Sequence, residues 1–156
     1  MSIVRRTRKG DFEVRLPDGE RALLAALVGQ LRSVLDAGES GEADPNLRRL
    51  FPVAYADDPR RDAGYHELVH DELLARRRSA LDLMAQTIGE ERLDEDALLS
   101  WMGVVNDLRL VLGTRLDVSE ETELAADPDD PQAGPLAVYA YLGHLLESII
   151  EALADG

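Results

Sequence analysis

Between Leu98 and Leu116 the chain reads LLSWMGVVNDLRLVLGTRL, apolar on almost every helical face yet carrying Asn106, Asp107, Arg109, Thr114 and Arg115. A helix so apolar must be enclosed by others, and its few polar side chains must then find partners or line an interface. This stretch is expected at the centre of the fold, opened by Leu93 as an apolar staple and Asp94 as a cap. Upstream, Leu24, Leu27, Val28, Leu31, Val34 and Leu35 recur at helical spacing. They predict a one-sided amphipathic helix that Pro17 and Asp18 open and that runs to about Ala37. A long helix follows from about Asp62 to Ile88, ended by Gly89. Its apolar stripe is Val69, Leu73, Ala80, Met84 and Ile88, with Arg77 standing where an apolar residue is expected. The last helix, from Pro135 to about Ala154, puts Val138, Leu142, Leu145, Ile149 and Leu153 on one side, with Tyr139, Leu146 and Ile150 beside them. Ala140, His144, Glu147 and Glu151 form its opposite, solvated stripe.

The period changes at the N-terminus. Ile3 to Arg8 and Phe12 to Leu16 predict two short strands around a turn at Lys9, Gly10 and Asp11, where glycine supplies a positive φ. An isolated hairpin is marginal and is expected to pack on helices or on a partner's edge. The segments 38–45, 56–64 and 117–134 read as polar or acidic loops, with a short helix over Asn46 to Phe51 and a possible helical turn near Ser119. The expected fold is mainly all-α: a single domain over residues 1–156, with a β-hairpin at 1–16 and a four-helix core bundle in 17–156.

Composition narrows the function classes. A chain that is 45% hydrophobic and 31% charged has the balance of a folded soluble protein. Its formal charge of −14 opposes general binding to nucleic acid or to an anionic membrane. There is no cysteine, so thiol nucleophiles, CxxC redox pairs and cysteine zinc sites are excluded. Arg5, Arg6, Arg8 and Lys9 are followed by Gly10, Asp11 and Glu13 where a signal peptide would need its apolar core, and no run is expected to reach the length of a membrane span. The cytoplasm is the expected compartment.

The sharpest chemical motif is His66, Glu67, Leu68, Val69, His70, an HExxH on a helix. That spacing can set two imidazoles on one face as zinc ligands, with the glutamate as general base. Its context fits poorly: Asp71 and Glu72 follow, Leu73 and Arg76 stand where the extended pattern needs glycine and a third histidine, and Glu90 lies beyond Gly89. The plainer reading makes these residues the polar side of a helix. Arg77 is expected to cover core with its stem and to meet Asp107 with its guanidinium. Contact of Arg76, Arg77 and Arg78 with DNA is the functional alternative. The basic residues of the hairpin are expected to protect a strand edge. Trp101, Tyr139 and Tyr141 read as core or interface anchors, and the acidic run at Asp117, Glu120, Glu121 and Glu123 lacks the alternation of a calcium loop.

The run Asn106, Asp107, Leu108, Arg109, Leu110, Val111, Leu112, Gly113, Thr114, Arg115, Leu116 resembles the signature of an actinobacterial family catalogued as a domain of unknown function and described as oxidative-stress transcriptional regulators of the AosR type. The likeness extends to Arg5 and Arg6, to Leu50, Phe51, Pro52 and Ala54 to Asp57, to Trp101, to the acidic stretch Asp127 to Pro131, and to the Tyr139 helix. The resemblance implies a cytosolic, non-enzymatic regulator without a cofactor. It would act through contact with the transcription machinery, a sigma factor or an RNA polymerase component, with a link to cysteine metabolism. Without cysteine, a thiol switch within this chain is impossible. Asn106, Asp107, Arg109, Thr114, Arg115 and Arg77 are the expected polar core or contact patch. A homodimer is expected too, because the central and last helices carry more apolar faces than one bundle seam requires.

Overall fold

Where the sequence alternates, strands pair. In a computed structural model, which describes residues 3–39, 63–115 and 133–155, strand β1 (Val4–Arg6) lies antiparallel to β2 (Phe12–Val14), with Val4 opposite Val14 and Arg6 opposite Phe12. The turn closes at Gly10, whose φ of 92° is left-handed backbone that a side chain would strain. Gly10 N–H donates to Thr7 O at 3.1 Å, Thr7 N–H donates to Asp11 O at 2.8 Å, and the Thr7 hydroxyl bonds the Asp11 carboxylate. A third strand, β3 (Arg92–Leu93), pairs on the other side of β2, with Phe12 opposite Leu93 and Glu13 opposite Arg92. Two residues are too few for alternation to show, and the sequence marks Leu93 only as the staple of the helix that follows it. The consequence is structural: β2 becomes a central strand, and Val4, Phe12, Val14 and Leu93 form a buried apolar face.

Four helices follow the hydrophobic period. They are α1 (Asp18–Glu39), α2 (Ala63–Thr87), α3 (Glu95–Arg115) and α4 (Ala133–Ala154), so the architecture is mainly α, as the pattern predicted. Asp94 caps α3 by accepting the Ala97 N–H at Oδ1, 2.8 Å away. The predicted stripe of α1 faces inward, with Leu24, Val28, Leu31 and Leu35 buried. On α3, Leu98, Trp101, Val104, Val105, Leu108 and Val111 are buried, and this helix packs on both α2 and α4. Trp101 is fully enclosed, and its Nε1–H donates at 2.8 Å to Thr87 Oγ1, which itself donates to Leu83 O at 2.7 Å. Helix α3 is therefore the hub, with one indole proton satisfied from the last turn of α2.

The hairpin packs on α4. Val4 N–H donates to the buried Ser148 Oγ at 3.0 Å, and Arg6 donates to Leu153 O at 3.2 Å while its guanidinium sits 4.7 Å from the Phe12 ring centroid. Arg21 on α1 holds the opposite end: it donates to Leu16 O, Val14 O, Ile88 O and Glu90 O at 2.7–3.2 Å, joining β2 to the end of α2. The reading that no run suits a membrane needs correction, because Gly134–Ala154 is long and apolar enough to cross one by length and composition. Its packing accounts for that hydropathy in another way. Leu142, Leu145 and Ile149 are fully buried within the helical core, whereas His144, Glu147 and Glu151 are exposed on the far side. Among the described residues, Leu99 and Ile150 are the exposed large apolar side chains. The predicted helix over Asn46 to Phe51 and the acidic loop from Asp117 lie outside the described residues.

Candidate functional site

Residues 107 and 109 stand two positions apart on α3, and two positions turn a helix by about 200°. Asp107 therefore faces α2 and Arg109 faces α4. Each lines a shallow cleft. The first, of about 240 Å³, lies between α2 and α3 and is lined by Leu73, Arg76, Arg77, Ala80, Gly103 and Asp107. The second, of about 260 Å³, lies between α3 and α4 and is lined by Arg109, Tyr139, Ala140, Gly143, His144 and Glu147. Asp107 and Arg109, which belong to one run of the sequence, thus stand on two different faces.

In the first cleft, Arg77 pairs with Asp107 through Nη1 and Oδ1. This is the partnership that Arg77's place on an apolar stripe led one to expect. Asp107 is only 5% exposed. Burial raises its carboxyl above the usual range, and the Arg77 guanidinium pulls it part of the way back. A buried ion pair of this kind fixes how two helices sit, since removing either partner strands the other. The flanking arginine is engaged as well. Arg78 pairs with Asp36 at 2.6 Å, and next to it Arg32 of α1 pairs with Asp82 of α2 at 2.6 Å. Two members of the Arg76 to Arg78 cluster are therefore committed to carboxylates within the fold, and Arg76 is exposed.

In the second cleft, the Arg109 guanidinium lies over the Tyr139 ring, 5.0 Å from its centroid, and Nη2 donates to the Tyr139 hydroxyl at 3.4 Å. Its Nε is buried without an acceptor and lies against the Cα of Gly143, where an added Cβ would come within 3.5 Å. No ion pair to Arg109 is formed among the described residues. Asn106, by contrast, is exposed and belongs to neither cleft's lining, so it is not part of the polar core. The side chains of Thr114 and Arg115 lie outside the described residues. So do those of His66, Glu67 and His70, which α2 carries in its first turns. Among the described residues, no group of three histidines or acids is placed to hold a metal ion.

Gly143, Thr87, Arg21 and Ser148 carry no mark of a site or network role in the sequence, and Tyr139 is expected there only as a core or interface anchor. Tyr139 is the one with a sequence signal, an aromatic on the flank of the last helix's apolar stripe. Its neighbour Tyr141 faces another way, and its hydroxyl is pushed up to about 12 by burial and by the Glu20 carboxylate.

Comparison with known proteins adds a family. The family described as a domain of unknown function, DUF2017, matches residues 1–153. A protein of Mycobacterium tuberculosis strain H37Rv named oxidative stress regulator AosR is 29% identical over 194 residues, covering 97% of this chain and 89% of its own length. The protein of the same name from Mycobacterium bovis matches equally. A relative from Mycobacterium leprae is 30% identical over 170 residues, covering 86% of this chain and 78% of its own. No solved structure shows significant similarity to the chain.

Proposed function

We propose that this chain, which belongs to the DUF2017 family, is a non-enzymatic cytosolic regulator of the oxidative-stress response that acts by contacting a protein of the transcription machinery. The observation that carries this reading is the similarity, over 97% of the chain, to proteins named oxidative stress regulator. The division of labour on α3 supports it. The buried carboxylate is used to hold α2 and α3 together, a structural use that leaves no activated nucleophile or base there. The arginine cluster on α2 is largely neutralised by Asp36 and Asp107, which together with the charge of −14 favours protein contact over DNA contact. A homodimer belongs to the same reading, with Leu99 and Ile150 as exposed apolar anchors.

The absence of cysteine restricts the mechanism. Any oxidant signal must reach the chain from a partner or through methionine. The test is direct binding of the purified chain to purified RNA polymerase core and to individual sigma factors, with duplex DNA as the control ligand. Saturable binding to a protein component and none to DNA at low salt is expected. Salt-sensitive retention on DNA that is lost when Arg76, Arg77 and Arg78 are neutralised would transfer the role to direct DNA binding. Stoichiometric zinc in protein purified without a histidine tag, held through His66 and His70, would instead favour a hydrolase.

A further inference from the structure

We propose that the cleft between α3 and α4 is a carboxylate-recognition site, with Arg109 as its cation and Tyr139 as its hydroxyl donor. Elsewhere in the fold, Arg77 has Asp107 and Arg78 has Asp36, while Arg21 and Arg6 reach main-chain carbonyls; Arg109 meets only a tyrosine hydroxyl, at 3.4 Å. Arg109 is half-buried on the central helix of a chain with 31 acidic residues, yet no carboxylate among the described residues comes within ion-pair distance of it. Its neighbours hold the guanidinium in position without neutralising it. The Tyr139 ring supports its face, and Gly143 lets it lie close to the α4 backbone. A half-buried cation that lines an open cleft, forms no ion pair among the described residues and has its Nε left without an acceptor is placed to receive an anion.

The chemistry of the lining selects the anion. The Tyr139 oxygen accepts from Arg109, so its own proton is available to a ligand oxygen. One guanidinium balances one carboxylate and can meet it in a planar, two-point geometry. Phosphate, with nearly two charges, would find a single cation here and would face Glu147 across the cleft. The carboxylate could belong to an aspartate or glutamate side chain of a partner protein or to a free organic acid, and the recognition chemistry is the same. The site does not depend on the regulatory role: a carboxylate can bind here whether or not the chain touches the transcription machinery.

The experiment is a titration of the full, isotopically labelled chain with propionate, with the α-amide of N-acetylglutamate and with inorganic phosphate, at constant ionic strength. The Arg109 Nε–H and Tyr139 ring resonances are followed. Both carboxylates are expected to give saturable shifts, with phosphate at least several-fold weaker. Tighter binding of the glutamate amide assigns the site to a protein side chain, and tighter binding of propionate assigns it to a free acid. R109Q should abolish saturation, Y139F should weaken it several-fold, and E147Q, which removes an opposing charge from an exposed position, should tighten it about 2- to 5-fold. If R109Q loses its fold by circular dichroism, Y139F and E147Q carry the test. Shifts that never saturate, phosphate binding as tight as carboxylate, or affinities unmoved by Y139F and E147Q would each overturn the proposal.

Discussion

Asp107 and Trp101 show how single polar groups are accommodated in this core. Because Arg77 is Asp107's observed counter-charge, Arg77→Met should cost about 3–5 kcal/mol, whereas the double variant Arg77→Met, Asp107→Leu should recover most of it. Denaturant midpoints with unchanged slopes would establish both. The pH dependence has a definite sign. Asp107's carboxyl is raised in the fold, so below the ordinary carboxylate range both states are protonated and its charge costs nothing. Stability then falls as pH rises through the raised value, since the folded state holds that proton longer. The difference in melting temperature between wild type and Asp107→Asn, followed from pH 4 to 7, should trace that decline, and a flat difference would contradict it. Trp101 makes the simpler case. Thr87→Val keeps the shape at the end of α2 but removes the acceptor of the indole proton, and should cost about 1–3 kcal/mol. Asp107's partner was legible from sequence because Arg77 interrupts an apolar stripe. Thr87 was not, because a threonine in the last turn of a helix carries no mark of what its hydroxyl accepts.

At the level of elements, the period of the apolar residues located the four helices, and it did so because each buries a stripe against the others. The strand β3 escaped it for the opposite reason: it is defined by backbone pairing with β2, to which side-chain pattern contributes only Leu93. Junctions between elements were equally silent. Arg21 sits in an amphipathic helix like any surface arginine, yet its fork reaches carbonyls of β2, of the following turn and of the end of α2. Arg21→Lys keeps the charge but cannot span those acceptors, and should destabilise the fold by about 2–3 kcal/mol in a thermal or urea titration. Ser148→Ala should cost about 1 kcal/mol and act locally, speeding hydrogen exchange at the Val4 amide more than at amides of α3. The two-sided placement of Asp107 and Arg109 follows from helical geometry and could have been drawn from their spacing alone. Which neighbouring helix each would meet could not, since that depends on how the bundle is wound.

For the molecule as a whole, the missing cysteines direct attention to sulfur of another kind. Met84 is fully buried beside the hub, whereas Met102 is partly open. Mild peroxide should therefore add oxygen to Met102 before Met84, as peptide mass mapping would register, with Met84 modified only as the fold loosens. The expected homodimer is a matter for sedimentation: Leu99→Glu or Ile150→Glu should shift the chain to monomer without lowering its stability if those side chains are the anchors. The bond from Val4 to Ser148 joins positions 144 residues apart. Strand β1 consequently gains its helical support only when α4 is in place, and until then Val4 is left without that cover. A chain cut short ahead of α4 should therefore expose the β1 edge and be cleaved faster than the full chain in limited proteolysis.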